Sequence, residues 1–379
     1  MSGLNLVAAA ESQAELIIDL AALVANWRSL AARIAPVACA AVVKADAYGV
    51  GTEQASKALF EAGCRVFFVA QASEGVRVRA SVGADAAIYV LNGLIEGAGR
   101  LDPYAAHDLR PVLGSLEDLR IWSASGLGGR SKAALHVDSG MNRLGLPQAQ
   151  ALALSGTPGI ALVMSHFVSS EAPMDPLNAQ QIARFDAVRA AFPGVQASMA
   201  NSAGLFLPQR PFYDLARPGY ALYGGNPVAP AKNPMRPVVT LRAPIIQLRE
   251  IAAGETVGYN AQWTARRPTR LATIGVGYAD GLPRNLMATD TRPGGEAMVA
   301  GVRCPFAGRV SMDLIVIDVT DAPRDRVAPG VMVELLGEHI TVDDMGVRAG
   351  TIGYEILTGL GRRYRRVYTG GAAPETFSA

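Results

Sequence analysis

A lysine serves as a nucleophile only where something disfavours its ammonium form, and one lysine in this chain stands in such a place. Residues 37–51 read VACAAVVKADAYGVG: small apolar residues run directly into Lys44, with Tyr48 four residues on and Gly49 and Gly51 after it. Residues 37–43 have the length of a strand buried on both faces. Asp46 to Gly49 read as the turn that starts the next element. Lys44 therefore stands at the carboxyl end of a buried strand, where parallel α/β folds carry their chemistry. Desolvation there favours the neutral amine. Position alone also allows a plainer reading, a lysine whose head reaches solvent.

Similar groups follow other strand-like runs. After the fifth come Asp138, Gly140, Met141, Asn142 and Arg143; after the sixth, His166; after the seventh, Asn201 and Ser202; after the eighth, Arg217, Gly219 and Tyr220. Loops after strands seven and eight of a barrel often bind phosphate through glycine amides and a helix N-terminus. A buried amine facing a phosphate pocket suggests a phosphorylated carbonyl cofactor, with pyridoxal phosphate the leading candidate. Each group has an ordinary alternative. His166 fits a half-buried, hydrogen-bonded histidine, Arg143 and Arg217 fit partners for Asp138 or Asp214, and Ser202 fits an N-cap.

The elements that must position these groups alternate in type. Strand-like runs at 37–43, 65–70, 87–91, 109–113, 133–137, 160–165, 196–199 and 212–216 are mostly separated by helical patterns, such as 54–62, 73–81, 115–123, 148–154 and 179–191. Sequential βα units at this pitch predict a (β/α)8 barrel over 14–233. Those bounds open with a short strand at 14–19 and a helix at 20–34. From about Pro234 the helical patterns give way to short β-branched runs between glycines and prolines, which predicts a mainly β domain over 234–379. Its glycine-flanked tyrosines, Tyr259, Tyr278 and Tyr354, read as loop residues, more natural as site groups than as packing, although any single one also fits a structural role.

Composition narrows the class. Half of the 379 residues are hydrophobic, 18% are charged and the net charge is +2, which describes a globular chain without the basic excess of a nucleic-acid binder. Three cysteines without metal-ligand spacing point to a reducing compartment and to no metal site. Residues 1–12 lack a basic and apolar leader pattern, and the apolar stretch 16–30 contains Asp19, Asn26 and Arg28. The expectation is a cytoplasmic enzyme with no membrane span.

Taken in order, AELIIDL, VVKADAYGVG, HVDSGMNRLG, MSHF, MANSAG, ARPGYALYG, VGYNAQW, GVGYADG, GRVSMD and TIGYEIL cover almost the whole chain and resemble the bacterial alanine racemase family of pyridoxal-phosphate enzymes. The resemblance implies a barrel plus a β domain, with the first strand crossing to join the second domain. It also implies a head-to-tail homodimer with shared active sites. On this likeness Lys44 is the Schiff-base lysine, and Tyr259, from the partner chain, is the opposing base. Tyr48, Ser202, Gly219, Tyr220 and Tyr354 hold the phosphate, Arg217 faces the pyridine nitrogen, and His166 lies against the ring and Arg217. Arg143 and the backbone of Met312 bind the substrate end, and Tyr278 lines the entrance.

The sequence departs from the family where many members carry a carbamate-modified lysine: the matching position is His136. Ser311 stands where a cysteine is common, and Tyr220 where an aliphatic residue is more usual. The implied reaction interconverts L- and D-alanine, for peptidoglycan or for catabolism. A racemase of serine, lysine or broad specificity would share every motif. A fold-related basic amino-acid decarboxylase would leave Tyr259 unexplained, and a non-catalytic pyridoxal-phosphate homeostasis protein would resemble the barrel alone.

Overall fold

The structure is a computed structural model and describes residues 14–94, 101–129 and 132–371; the 1–12 stretch read above for a leader lies outside them. The chain divides into two compact units. Among the described residues, one comprises Leu20–Arg236 with Gly370 and Gly371, and the other comprises Pro237–Thr369 with residues 14–19.

The first unit opens with the helix Leu20–Ile34, whose buried Leu20, Leu23, Trp27, Leu30 and Ile34 form one apolar stripe. The strands that follow are β2 (Ala38–Cys39), β3 (Ala41–Val42), β4 (Val66–Val69), β5 (Ala87–Val90), β6 (Leu109–Leu113), β7 (Ala133–Asp138), β8 (Ile160–Met164), β9 (Gln196–Ser198) and β10 (Leu215–Ala216), with β1 (Glu15–Asp19) left to the other unit. From β3 to β9 they form one parallel sheet in sequence order. The run at 37–43 splits at Ala40 because it serves two neighbours: β2 pairs with β10 and β3 with β4. Closure is completed by backbone bonds from Ala40 to Ala216 (2.9 Å), Val42 to Pro218 (3.0 Å), Asp214 to Ala197 (3.0 Å) and Arg217 to Ala200 (2.8 Å). The eight strands of the barrel are therefore present. The last is shorter than its sequence pattern, because Arg210 and Tyr213 take positive φ and turn the chain before it.

Inside the barrel, register places Val42, Phe68, Tyr89 and Arg110 in one row across neighbouring strands. Phe68 stacks on Tyr89 at 5.0 Å, Arg110 lies over Tyr89 at 5.5 Å, and Arg217 lies over Phe68 at 5.7 Å. Inward-facing strand residues fill a small barrel, and here part of the filling is an aromatic stack with a guanidinium on either side.

In the second unit β1 lies between two strands, antiparallel to β11 (Val239–Ile251) and parallel to the Arg365–Thr369 strand. The sequence pattern reads as two strands, 238–241 and 245–248, where β11 runs continuously. It changes partner near Pro244, pairing with Met332–Leu336 before it and Thr269–Ile274 after it. Proline has no N–H for a ladder, and the register irregularities around it accommodate the loss. The basic run 362–366 ends in the edge strand, where Arg365 pairs with Glu15. The sequence reading missed the Val302–Pro305 strand and the helix Asp102–His107.

Asn26, on the buried stripe of the first helix, fastens the far end of the barrel unit. Its amide nitrogen donates to Leu222 O at 3.1 Å and Arg236 O at 2.9 Å, and its oxygen accepts from Arg236 N at 2.8 Å. Asn26→Ala leaves these buried groups unpaired, and the expected loss is about 2–4 kcal/mol of unfolding free energy, read from urea denaturation.

Candidate active site

Lys44 ends the first barrel strand, and the chain then makes a turn of the wrong hand. Ala45, Asp46, Ala47 and Tyr48 have φ of 54°, 54°, 51° and 54°, and Gly49 follows at 83°. Left-handed backbone costs roughly 1–2 kcal/mol per non-glycine residue, so the turn stores roughly 4–8 kcal/mol. The sequence marks this place as a turn; its handedness is set by contacts from distant segments. Glu74 accepts from the amides of Ala45 (2.7 Å), Ala70 (2.7 Å) and Gln71 (3.1 Å). Asp46 accepts from Thr52 N at 3.1 Å and from Arg77 at 2.8 Å. Burial pushes the Asp46 carboxyl up, but the Thr52 amide and Arg77 outweigh it and hold the group below its ordinary range. Glu74, Thr52 and Arg77 were missed by the sequence reading, since nothing in their local sequence points to residue 44.

Positive charge crowds the mouth of the barrel. Burial lowers the Lys44 pKa, the charge of Arg143 lowers it further, and Glu74 opposes both. Arg217 is fully enclosed and bound by Ser198 Oγ and, at 2.6 Å, by Ser165 O; burial pulls its pKa down to about 9. His136 is pushed from 6.5 to about 4, by burial first and then by Arg217 and Arg143, against Asp138. His166 falls to about 3 through burial, Arg217, Arg143, Lys44 and His136. Both imidazoles are therefore neutral at pH 7. Arg217 does not use Asp138 or Asp214 as a partner: Asp214 caps Ala197 N at 2.8 Å, and Asp138 accepts from the amides of Gly140 (2.8 Å), Met141 (2.8 Å) and Asn142 (2.9 Å). That nest shapes the turn that presents the exposed Arg143.

The loops after the seventh and eighth strands meet the Lys44 turn. Ser202 Oγ accepts from Gly219 N at 3.0 Å and Ala221 N at 3.1 Å. Gly219 lies so close to Tyr48 that a Cβ would come within 2.3 Å of its phenol oxygen; its φ is −127°, so space and not handedness demands glycine. Tyr48 is buried and stacks on Tyr223 at 4.6 Å. Tyr220 lies where a Cβ on Gly225 would strike its ring. Lys44, Tyr48, His166, Ser202, Arg217, Gly219 and Tyr220 thus share one end of the barrel.

The second unit carries Tyr259, Tyr278 and Met312 on loops and short turns, whereas Tyr354, expected on a loop, lies in a helix. Tyr259 is 69% exposed and Met312 54% exposed. Tyr259 is flanked by Gly258 at φ 78° and Asn260 at φ 64°, a sharp turn off the short Thr256–Val257 strand. Tyr278 N donates to Ser311 O and Ala279 N to Met312 O, both at 3.0 Å, so the Tyr278 and Met312 loops are zipped together. Tyr354 is half-buried on the helix Gly353–Gly359.

Two outcomes check this description. Ala45 is exposed, so Ala45→Gly relieves left-handed strain at little packing cost, and the expected change is a gain of up to about 1 kcal/mol. The same change at the end of the right-handed Pro176–Ala190 helix, Ala190→Gly, should lose up to about 1 kcal/mol; chemical denaturation reads both signs. His136 stays neutral when folded and takes up a proton only near pH 4, whereas the unfolded chain does so from 6.5. Its stabilising contribution is full above the unfolded pKa and is lost as pH falls toward the folded one. Wild type should therefore lose about 2 kcal/mol more than His136→Gln between pH 7 and pH 5.

Comparison with known proteins agrees over both units. The family model described as alanine racemase, N-terminal domain, matches residues 18–227, and that described as alanine racemase, C-terminal domain, matches 238–368. An alanine racemase of Methylobacterium nodulans is 55% identical over 367 residues, 95% of this chain and 97% of that one. Two racemases of Agrobacterium fabrum, named catabolic and biosynthetic, are 46% and 44% identical, covering 98% and 93% of this chain and 96% and 93% of their own lengths. A crystal structure of alanine racemase from Bartonella henselae with covalently bound pyridoxal phosphate is similar with a TM-score of 0.86 and 38% identity, over 94% of this chain and all of that one. From the strand-end lysine to the paired domains, the chain belongs to the alanine racemase family.

Proposed function

We propose that the protein interconverts L- and D-alanine with pyridoxal 5′-phosphate held on Lys44. The observation that carries this reading is a desolvated lysine amine with Arg143 lowering its pKa, beside a cradle in which Gly219 closes onto Tyr48 and Ser202. Such a site suits a ligand that is anionic and carries a carbonyl. The cradle fits a phosphate: Tyr48, Ser202, Gly219 and Tyr220 converge within the barrel unit, and Tyr354 would complete them. When bound, the cofactor supplies the electron sink that makes the Cα proton of an amino acid removable.

This chain's residues then divide the remaining work. Lys44 Nζ takes or returns a proton on one face, and Tyr259 Oη does so on the other. Opposed bases invert the centre with least motion. Arg217, enclosed and fixed by Ser198 and Ser165, would donate toward the pyridine nitrogen and keep it unprotonated, which limits side reactions. Neutral His166 would lie against the ring and Arg217. Arg143 and the backbone of Met312 would hold the substrate carboxylate end, and Tyr278 would line the entrance. The exposure of Tyr259 and Met312 in a single chain supports a homodimer in which a second copy supplies Tyr259. The family match over 238–368 argues against a barrel-only binding protein. No helix among the described residues is long and apolar enough to cross a membrane, and a cytoplasmic location is part of the proposal.

A chiral assay should show D-alanine formed from L-alanine, with slower turnover of serine and lysine, and loss of both activity and visible cofactor absorbance in Lys44→Ala. In Tyr259→Phe, net racemisation should fall about 10²–10⁴-fold. Deuterium from solvent should still enter Cα of one enantiomer only. Equal loss of exchange for both enantiomers, with cofactor bound, would overturn the two-base assignment.

A further inference from the structure

The loops carrying Tyr278 and Met312 are held by a charge cluster that none of the chemistry above uses. Asp280 is buried, with a side chain only 7% exposed. One of its oxygens accepts from Gly277 N at 2.9 Å, inside the Tyr278 loop. The other meets Arg363 Nε at 3.1 Å, and Arg363 Nη1 donates to Asp313 at 2.8 Å, one residue beyond Met312. A single guanidinium therefore spans the two loops, and its planar fork suits two carboxylates at once.

The surrounding backbone leaves this cluster little slack. Gly361 N donates to Asp280 O at 2.9 Å. A Cβ on Gly277 would lie 2.3 Å from Met312 O, and one on Gly281 1.7 Å from Gly359 O. The two ion pairs are not equivalent. Arg363 and Asp313 are each about half exposed, and such pairs contribute little. The Asp280 carboxylate is enclosed and Arg363 is the cation that meets it, so removing that partner leaves a buried charge uncompensated. Arg363 itself precedes the Arg365–Thr369 edge strand, and both its carboxylate partners lie on the site-bearing loops.

We infer that Arg363 is a positioning residue: by bridging Asp280 and Asp313 it fixes the spacing between the Tyr278 and Met312 loops, and so sets how tightly the amino-acid substrate is admitted and held. The inference rests on the roles proposed above for Tyr278 and Met312. It assigns Arg363 no proton transfer and no cofactor contact.

The test compares wild-type holoenzyme with Arg363→Gln, Arg363→Lys and, as a control on the neighbouring exposed arginine, Arg362→Gln. For Arg363→Gln the expected result is KM raised about tenfold for both enantiomers with kcat within about threefold. The amides of Gly277, Tyr278 and Ala279 should exchange about tenfold faster while those of Leu271–Ile274 keep wild-type protection. Arg363→Lys, which keeps the charge but not the fork, should fall between, and Arg362→Gln should match wild type. Unchanged KM and loop exchange in Arg363→Gln would overturn the inference. So would a fall in kcat at constant KM, or loss of protection across the sheet as well as the loops. If wild type does not racemise alanine, the functional reading fails, and amide exchange at 277–279 still decides whether Arg363 holds the loops.

Discussion

Positive charge confined in a desolvated barrel mouth is the constraint on which the site depends. Burial withdraws Lys44 and Arg217 from water, the exposed Arg143 adds its charge beside Lys44, and burial together with these cations keeps the two histidines neutral. Burial first and then the charge of Arg143 lower the Lys44 pKa, which favours its neutral amine. Glu74 is the one carboxylate in the group that favours the Lys44 ammonium, and it is engaged by three backbone amides. A cluster of this kind favours an anion, in keeping with the phosphorylated ligand proposed above.

The geometry around Lys44 is bought with backbone strain and held by long-range contacts. A left-handed turn directs Tyr48 back toward the loop after the eighth strand, where Gly219 leaves room for it. A right-handed turn at the same place would carry Tyr48 elsewhere and dissolve the cradle. The strain is sustained because Glu74 satisfies the Ala45 amide of the turn, because Asp46 ties the turn to Thr52 at the start of the next helix, and because the barrel closes through its short last strand.

The second unit follows a different plan. Its sheet is conventional, with β1 enclosed between two strands, and the chemistry-bearing groups stand on loops beyond it. Backbone pairing between the Tyr278 and Met312 loops, together with the Asp280 and Arg363 cluster, gives these loops the order that a sheet would otherwise supply. Order is needed there because Met312 is more than half exposed, so side-chain packing does little to hold its loop.

The sequence by itself determined the class of fold and the groups able to do chemistry. Strands buried on both faces are continuous apolar runs, so all eight barrel strands were legible, and a residue such as Lys44 at the end of one is conspicuous. Local spacing does not carry handedness or partnership. The inverted turn at 45–48 depends on Glu74, about thirty residues away in the chain, and Arg217 is held by Ser198 and Ser165 rather than by Asp138 or Asp214. The single long strand β11, read as two, was hidden by Pro244, whose missing N–H looks like a break until the switch of partners is seen. The fates of His136, neutral among arginines, and of Arg363, bridging two loops, were likewise decided only by tertiary structure. The physical reason is the same in each case. Hydrophobic periodicity is a local property of the chain, whereas desolvation, charge pairing and the relief of backbone strain depend on what folding brings close.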